Sequence, residues 1–176
     1  MIFYTSDTHF FHKNIIQYCP DSRGHFNTIE EMNTSIVTAW NNKVTNNDII
    51  YHLGDFIFSK SNDQFMLDQL NCKKMYLIPG NHDTQFSKIN HHKLIILPAY
   101  YELKIDHNLI VLCHYPFKIW NRSHYGSYHF HGHSHGTLTR YHNHVLDVGI
   151  DARPDNDLTP WEHAELLTYL KEVPYE

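Results

Sequence analysis

The chain alternates between two hydrophobic periods. Residues 2–6 are an apolar run rich in aromatic and β-branched side chains, which reads as a buried strand. Residues 15–18 predict a short helix stopped by Pro20. Thr28-Ile29-Glu30-Glu31 has the form of a capping box, with Thr28 as N-cap and Glu31 reaching back to it. Ile29, Met32, Ile36, Val37 and Trp40 then recur at helical spacing, predicting an amphipathic helix to about Lys43. After the turn Asn46-Asn47-Asp48 the pattern repeats. A strand is expected over 49–53, and a capping-box candidate at Ser61-Asn62-Asp63-Gln64 opens a helix carrying Phe65, Met66, Leu67 and Leu70. Another strand is expected over 74–78. Strand, helix, strand, helix, strand is α/β order.

The second half favours strands. Runs at 100–105 and 109–113 flank Asp106-His107-Asn108 and predict an antiparallel hairpin. Further strands are expected over 128–131 and 145–150. Thr159-Pro160-Trp161-Glu162 reads as a helix start, with Thr159 as N-cap, Pro160 at N1 and Glu162 at N3, the helix running to about Leu170 or Lys171. The 176 residues suffice for one domain with a real core, spanning 1–176, and no linker or repeat divides them. The expected architecture is a two-sheet core with helices outside.

Every polar cluster stands just beyond the end of a predicted strand. Asp7-Thr8-His9, Gly54-Asp55, Gly80-Asn81-His82-Asp83, Cys113-His114 and Gly132-His133-Ser134-His135 all stand at strand ends, where ligand crevices of α/β sheets lie. Asp7 and His9 would point the same way if strand geometry continued through them. The candidate ligands Asp7, His9, Asp55, Asn81, His114, His133 and His135 offer oxygen and imidazole but no sulfur. Such donors suit Mn, Fe, Zn, Co or Ni. They are too many for one tetrahedral zinc and enough for two ions sharing a carboxylate. Two ions ~3.5–4 Å apart are the standard device for phosphoester hydrolysis, because they activate a bridging water and neutralise the phosphoryl oxygens. His82 is the candidate catalytic side chain, with Asp83 fixing its tautomer. His12 could reach the phosphate or leaving group, and Arg23 could clamp a phosphate. A surface histidine and a solvated loop arginine are the plainer readings of those two.

Other polar and aromatic residues have structural readings at least as good. His129 and His131 share a face with His133 and suit either support of the ligands or sheet packing. Asp147 and Asp151 could orient a ligand histidine, with strand-end hydrogen bonding the simpler account. Tyr115, Trp120 and Tyr125 could stack on a planar group, although rim or core packing is favoured.

Composition narrows the setting. Hydrophobic residues make up 41% and charged residues 19%, ordinary values for a soluble globular chain. A net charge of −5 with neutral histidines disfavours stable nucleic-acid binding and anionic membranes. Three cysteines without a C-x-x-C pair suggest neither a disulfide framework nor a thiolate zinc site, and a reducing cytoplasm is the simplest location. Asp7 arrives too early for a signal peptide, and no apolar run approaches the ~18–20 residues of a membrane span.

In their order, Asp7-x-His9, Gly54-Asp55, Gly80-Asn81-His82-Asp83, His114 and Gly132-His133-x-His135 resemble the five blocks of the calcineurin-like metallophosphoesterases. The run Ser6-Asp7-Thr8-His9-Phe10-Phe11-His12-Lys13-Asn14-Ile15-Ile16 is similar to a small phage and bacterial branch of them. The resemblance implies a four-layer α/β/β/α sandwich of two mixed sheets flanked by helices. It also implies that Asp7, His9 and His135 hold one metal, that Asn81, His114 and His133 hold another, that Asp55 bridges them, and that His82 acts beside the phosphate. The expected cofactor is a pair of divalent ions, Mn²⁺ first, with Fe, Zn, Ni or Co as alternatives. The expected reaction is hydrolysis of a phosphomonoester or phosphodiester, a small nucleotide-like substrate, by a metal-bridging hydroxide. Phe58 departs from the pattern. It stands where purple acid phosphatases place a tyrosine ligand and where protein Ser/Thr phosphatases carry a carboxylate, which disfavours both specificities. The chain is also too short for the capping domain of nuclease members. A catalytically silent scaffold on this fold, and a nuclease, are the alternative functions.

Overall fold

The computed structural model describes residues 1–59, 63–83 and 89–175. Two mixed sheets carry the fold, with helices packed against them. The first contains β1 (Ile2–Thr5), β2 (Ile49–His52), β3 (Lys74–Leu77), β4 (Leu94–Ile96) and β9 (Trp161–Glu162), in the order β4-β3-β2-β1-β9. Strands β1 to β4 run parallel and β9 is antiparallel to β1. The second contains β5 (Tyr100–Ile105), β6 (Asn108–Cys113), β7 (Tyr128–His131) and β8 (Val145–Asp147), in chain order, with an antiparallel β5–β6 hairpin and parallel pairs after it. The hairpin turn is two residues, Asp106 and His107, both at positive φ (47° and 69°), as a type I′ turn requires.

Side chains of the first sheet alternate between two cores. Phe3, Ile50, Met75 and Leu77 face helices α3 (Ile29–Lys43) and α4 (Asp63–Gln69), whose Met32, Ile36, Trp40, Met66 and Leu67 cover them. Tyr4, Tyr51, Leu53 and Ile78 face the other way, onto Ile110, Leu112, Phe130 and Leu146 of the second sheet. Tyr4, Tyr51 and Tyr76 occupy one register across three strands and stack with ring centroids 5.8 and 5.1 Å apart. The Tyr4 ring then meets Phe130 edge-on at 5.0 Å, locking sheet to sheet. Helix α5 (His163–Glu172) adds Leu166 and Leu170 to this core.

Several expectations change locally. Thr28 caps α3 by accepting from Glu31 N, but Glu31 Oε2 accepts from Asn27 N at 2.8 Å, one residue before the cap. The helix α1 (Ile15–Tyr18) ends as expected, and Pro20 then opens a second short helix, α2 (Pro20–Arg23). The capping-box candidate at Ser61 and Asn62 lies outside the described residues. In α4, Phe65 is exposed while Met66 and Leu67 are buried. Strand β8 stops at Asp147 because its Oδ1 takes Gly149 N at 2.8 Å and turns the chain; Ile150–Ala152 is a 3₁₀ turn. Thr159 does not start the last helix. It bonds Asp157, Trp161 buries itself as β9 opposite Tyr4, and α5 begins after Glu162, which forms a reciprocal capping box with Glu165. Strand β4 had no recognised signal: its three residues are too few to show a period.

Candidate metal centre

The strand-end loops converge on one side of the sandwich. Asp7 and His9 follow β1, Asp55 follows β2, Asn81 and His82 follow β3, His114 follows β6, and His133 and His135 follow β7. They do not continue strand geometry. Asp7, His9, Asp55, His133 and His135 all have left-handed backbones, with φ between 48° and 66°. Non-glycine residues avoid this region, and its clustering marks a site that the surrounding fold over-determines. Two glycines let the loops meet. Gly54 sits at φ 98°, and a Cβ there would lie 2.6 Å from Gly80 N and His114 Nδ1. At Gly132 a Cβ would fall 2.0 Å from Ser6 Oγ and 2.4 Å from Asp7 Oδ2.

Two groups of donors result. In one, the ligating atoms of Asp7, His9 and His135 lie within 4.8 Å of one another. Asp7 Oδ1 and His9 Nε2 are buried and have no hydrogen-bond partner. His135 Nε2 faces Asp7 Oδ1 at 3.9 Å, while its Nδ1 bonds Asp151 Oδ2 at 2.7 Å. The other group is Asp55, His114 and His133. His114 Nδ1 donates to Leu53 O at 2.7 Å, so the neutral ring presents a lone pair at Nε2. That atom lies 3.1 Å from Asn81 Oδ1 and 3.5 Å from Asp55 Oδ2. Asp55 Oδ2 is also 3.5 Å from His9 Nε2, which puts this carboxylate between the groups. Cys19 joins His135 and Asp151 in a third cluster, but those two are already bonded to each other.

The electrostatics show what the protein alone lacks. Burial pushes the Asp7 carboxyl well above the usual carboxylate range, and Asp147 and Asp55 push it further, against His135 and Ser6. Burial drives the His9 imidazole far below its ordinary value, helped by Arg23 and the neighbouring histidines. His114 is lowered by burial against the pull of Asp55. Asp7 thus resists losing its proton while His9 and His114 refuse one. Burial opposes a charge on His135, but its bond to Asp151, with Cys19 and Asp7, pushes it up to about 11. Divalent cations would satisfy such a set. The residues therefore fit a metal centre.

Residues around the donors serve different purposes from those expected. Asp83 does not touch the His82 ring. Its carboxylate accepts from Asp55 N (2.7 Å), Phe56 N (3.1 Å) and Gly80 N (2.8 Å), tying the β2 loop to the β3 loop. Burial raises it to about 6 although those bonds oppose the shift. The His82 ring is 38% exposed, its Nε2 stands 4.0 Å from Asp55 Oδ2, and its backbone N donates to Asp55 Oδ1 at 3.0 Å. Arg23 is not available to clamp a phosphate. It is fully buried, forks onto both Asp151 oxygens (2.7 and 2.6 Å), and donates to the carbonyls of Asp7 and Thr8. Asp151 thus orients His135, the less favoured of its two readings. Asp147 Oδ2 instead braces the His135 loop through Ser134 Oγ and Gly136 N.

His12 lines the cavity, with Nδ1 3.3 Å from His9 Nδ1 and its ring stacked on Phe58 at 4.4 Å. Burial, then His82 and Arg23, lower its pKa. His129 and His131 are buried: His129 bridges Val111 O and Phe117 N, and His131 Nδ1 bonds Gly132 O. Tyr115 meets His133 edge-on at 4.7 Å, Trp120 is buried over the second sheet, and Tyr125 is exposed.

Comparison with known proteins follows this geometry. The family model for the calcineurin-like phosphoesterase superfamily domain matches residues 1–149. A protein of Methanocaldococcus jannaschii, MJ1445, is 45% identical over 85 residues, 47% of this chain; the chain spans 46% of that curated relative. A crystal structure of the Aquifex aeolicus protein AQ665, of unknown function, superposes with a TM-score of 0.72 at 22% identity, covering 94% of this chain and 97% of its own. An archaeal phosphodiesterase overlaps with a TM-score of 0.49 at 20% identity, over 84% of this chain and 82% of that one. Among the described residues no helix is long and apolar enough to cross a membrane. The match across most of the chain, on a fold of two mixed sheets with its donors at the strand ends, makes this protein a member of the calcineurin-like phosphoesterase superfamily.

Proposed function

We propose that this protein is a metal-dependent phosphoesterase of a small, nucleotide-like ester. Asp7, His9 and His135 would hold one divalent cation, Asn81, His114 and His133 another, with Asp55 between them. The observation that carries this reading is Asp55 Oδ2 at 3.5 Å from both His9 Nε2, which has no hydrogen-bond partner, and His114 Nε2, which also faces Asn81 Oδ1 at 3.1 Å. Mixed oxygen and imidazole donors suit Mn²⁺, with Fe, Zn, Ni and Co as alternatives. When bound, two such cations neutralise phosphoryl oxygens and make a water nucleophilic at neutral pH.

The chain's own residues do the rest. Asp151 holds His135 by Nδ1 and Leu53 O holds His114 by Nδ1, so that the Nε2 of each would be free to hold a cation. With His9 Nε2 given to the metal, its Nδ1 carries the proton and donates to His12 Nδ1. His12 is then the Nε2–H tautomer, a donor in the cavity wall. His82, half-exposed beside Asp55, is the group positioned to protonate a leaving oxygen. Asp83 acts on the loop and not on the proton. The test is to strip the protein of metal and assay 4-nitrophenyl phosphate and bis(4-nitrophenyl) phosphate. Mn²⁺ should restore turnover of at least one ester, and Asp55→Asn should reduce it by a factor of 100 or more, on the order of other lost catalytic electrostatics. No turnover with either ester and any of Mn, Fe, Zn, Ni or Co would refute the proposal.

A further inference from the structure

Three of the donors, His9, His133 and His135, share with His82 the lining of a cavity of about 1240 Å³. From His9, His82 and His135 it runs outward between residues 11–22 and the 133–137 loop. That exceeds the ~300–1,000 Å³ that usually encloses a whole drug-sized ligand, far more room than a phosphoryl group needs. Its lining says what fills the remainder. Phe58 is 49% exposed although its ring lies flat on His12 at 24° and 4.4 Å. Tyr18, 67% exposed, lies with its ring at 70° to that of His12, centroids 6.0 Å apart. Large aromatic rings left open beside a catalytic centre form a surface suited to a flat group. Lys13 and Asp21 also line it with opposite formal charges, so outside the histidines the lining supplies no excess of positive charge for a second phosphate. The exposed amides of Asn14 and Asn156 also line it and offer both donors and acceptors to the heteroatoms of a ring.

Position within the site adds direction. Phe58 meets the His82 ring edge-on at 5.4 Å, and His12 lies 6.0 Å from it. The flat surface is therefore on the side of the residue that protonates the leaving oxygen. We infer that Phe58, backed by His12, is a specificity-determining platform for the leaving group, and that this group carries a neutral, planar heteroaromatic ring of the nucleobase kind. This rests on the phosphoesterase reading above and extends it to the substrate's organic half.

The test compares substrates with the same leaving oxygen that differ only in the ring. With Mn²⁺-loaded protein, kcat/KM is measured for adenosine 5′-phosphate against ribose 5-phosphate, and for the methyl diester of each, following release of adenosine or ribose. In the ester class that is turned over, the base should raise kcat/KM about tenfold or more, within the range that stacking of a base on an aromatic side chain confers. Phe58→Ala should collapse that ratio toward one, and Phe58→Trp should keep it. Tyr125→Ala, exposed and outside the cavity, should leave it unaltered. Should Phe58→Ala fail to fold by circular dichroism, Phe58→Leu replaces it with the same expectation. A wild-type ratio near one, or a ratio that Phe58→Ala or Phe58→Leu does not change, overturns the inference while leaving the phosphoesterase reading intact. Hydrolysis of none of these esters, nor of the nitrophenyl esters, brings both down.

Discussion

Arg23 shows how much one residue can join. Its guanidinium holds Asp151 in a two-pronged pair and the carbonyls of Asp7 and Thr8, so it links the loop after β1 to the histidine after β7. Burial works against the Asp151 charge, but the adjacent Arg23 and the His135 bond hold its carboxyl far below the usual range. Arg23→Met would strand that carboxylate in the interior. Breaking one partner of a buried pair typically costs 3–5 kcal/mol. We expect a loss of about that size in urea unfolding, and a 10- to 100-fold weaker affinity for the first of two Mn²⁺ ions titrated calorimetrically. Unchanged metal affinity would show that Arg23 supports only the fold. Its position in the sequence gave no hint of this, because its partner lies 128 positions away. The clustering of aspartates and histidines, in contrast, was legible, because each stands just past a strand that the sequence pattern marks.

At the scale of elements, the segment between β6 and β7 depends on a neutral imidazole. His129 Nε2 accepts from Phe117 N at 3.0 Å, which forces the proton onto Nδ1, 3.1 Å from Val111 O. A second proton would set two N–H groups against each other. Burial, and then His131, lower His129 to about 4 from an ordinary 6.5. The unfolded chain therefore binds the proton first. The contribution is fully present above pH 6.5 and is lost as pH falls toward 4, roughly 3 kcal/mol across that window. His129→Gln should remove about this much of the decline in unfolding free energy measured between pH 7 and 4. A profile identical in the variant would contradict the assignment.

The elements themselves were largely legible where a period had room to repeat, as in α3 and the β5–β6 hairpin. They were not legible where tertiary pairing outweighed local preference. Thr159-Pro160-Trp161-Glu162 carries helix-start chemistry, yet Trp161 gains more by pairing with β1 and burying its ring than by entering a helix. The tyrosine ladder across β1, β2 and β3 was invisible for another reason. Single strands do not reveal register, and only the aligned sheet brings the three rings together.

Over the whole molecule, each donor group draws on both sheets. Asp7 and His9 come from the first and His135 from the second; Asp55 comes from the first and His114 and His133 from the second. Bound cations would pin one sheet to the other. Binding confined to the folded state adds about 2.7 kcal/mol per site at a hundredfold excess over Kd. In a chain of this length each kcal/mol is worth about 2–4 °C, so Mn²⁺ should raise the melting temperature of stripped protein by roughly 5–10 °C per site. A midpoint indifferent to Mn²⁺, Zn²⁺ and Fe²⁺ alike would count against the metal centre.

The same division of donors between the two sheets orders events during synthesis. A nascent chain that has reached Cys113 already contains Asp7, His9, Asp55 and Asn81, yet it owns neither donor group entire, since one awaits His135 and the other His114 and His133. Metal capture would therefore wait until His135 has been made, and a ribosome stalled before residue 133 would display a half-built site that holds neither donor group whole.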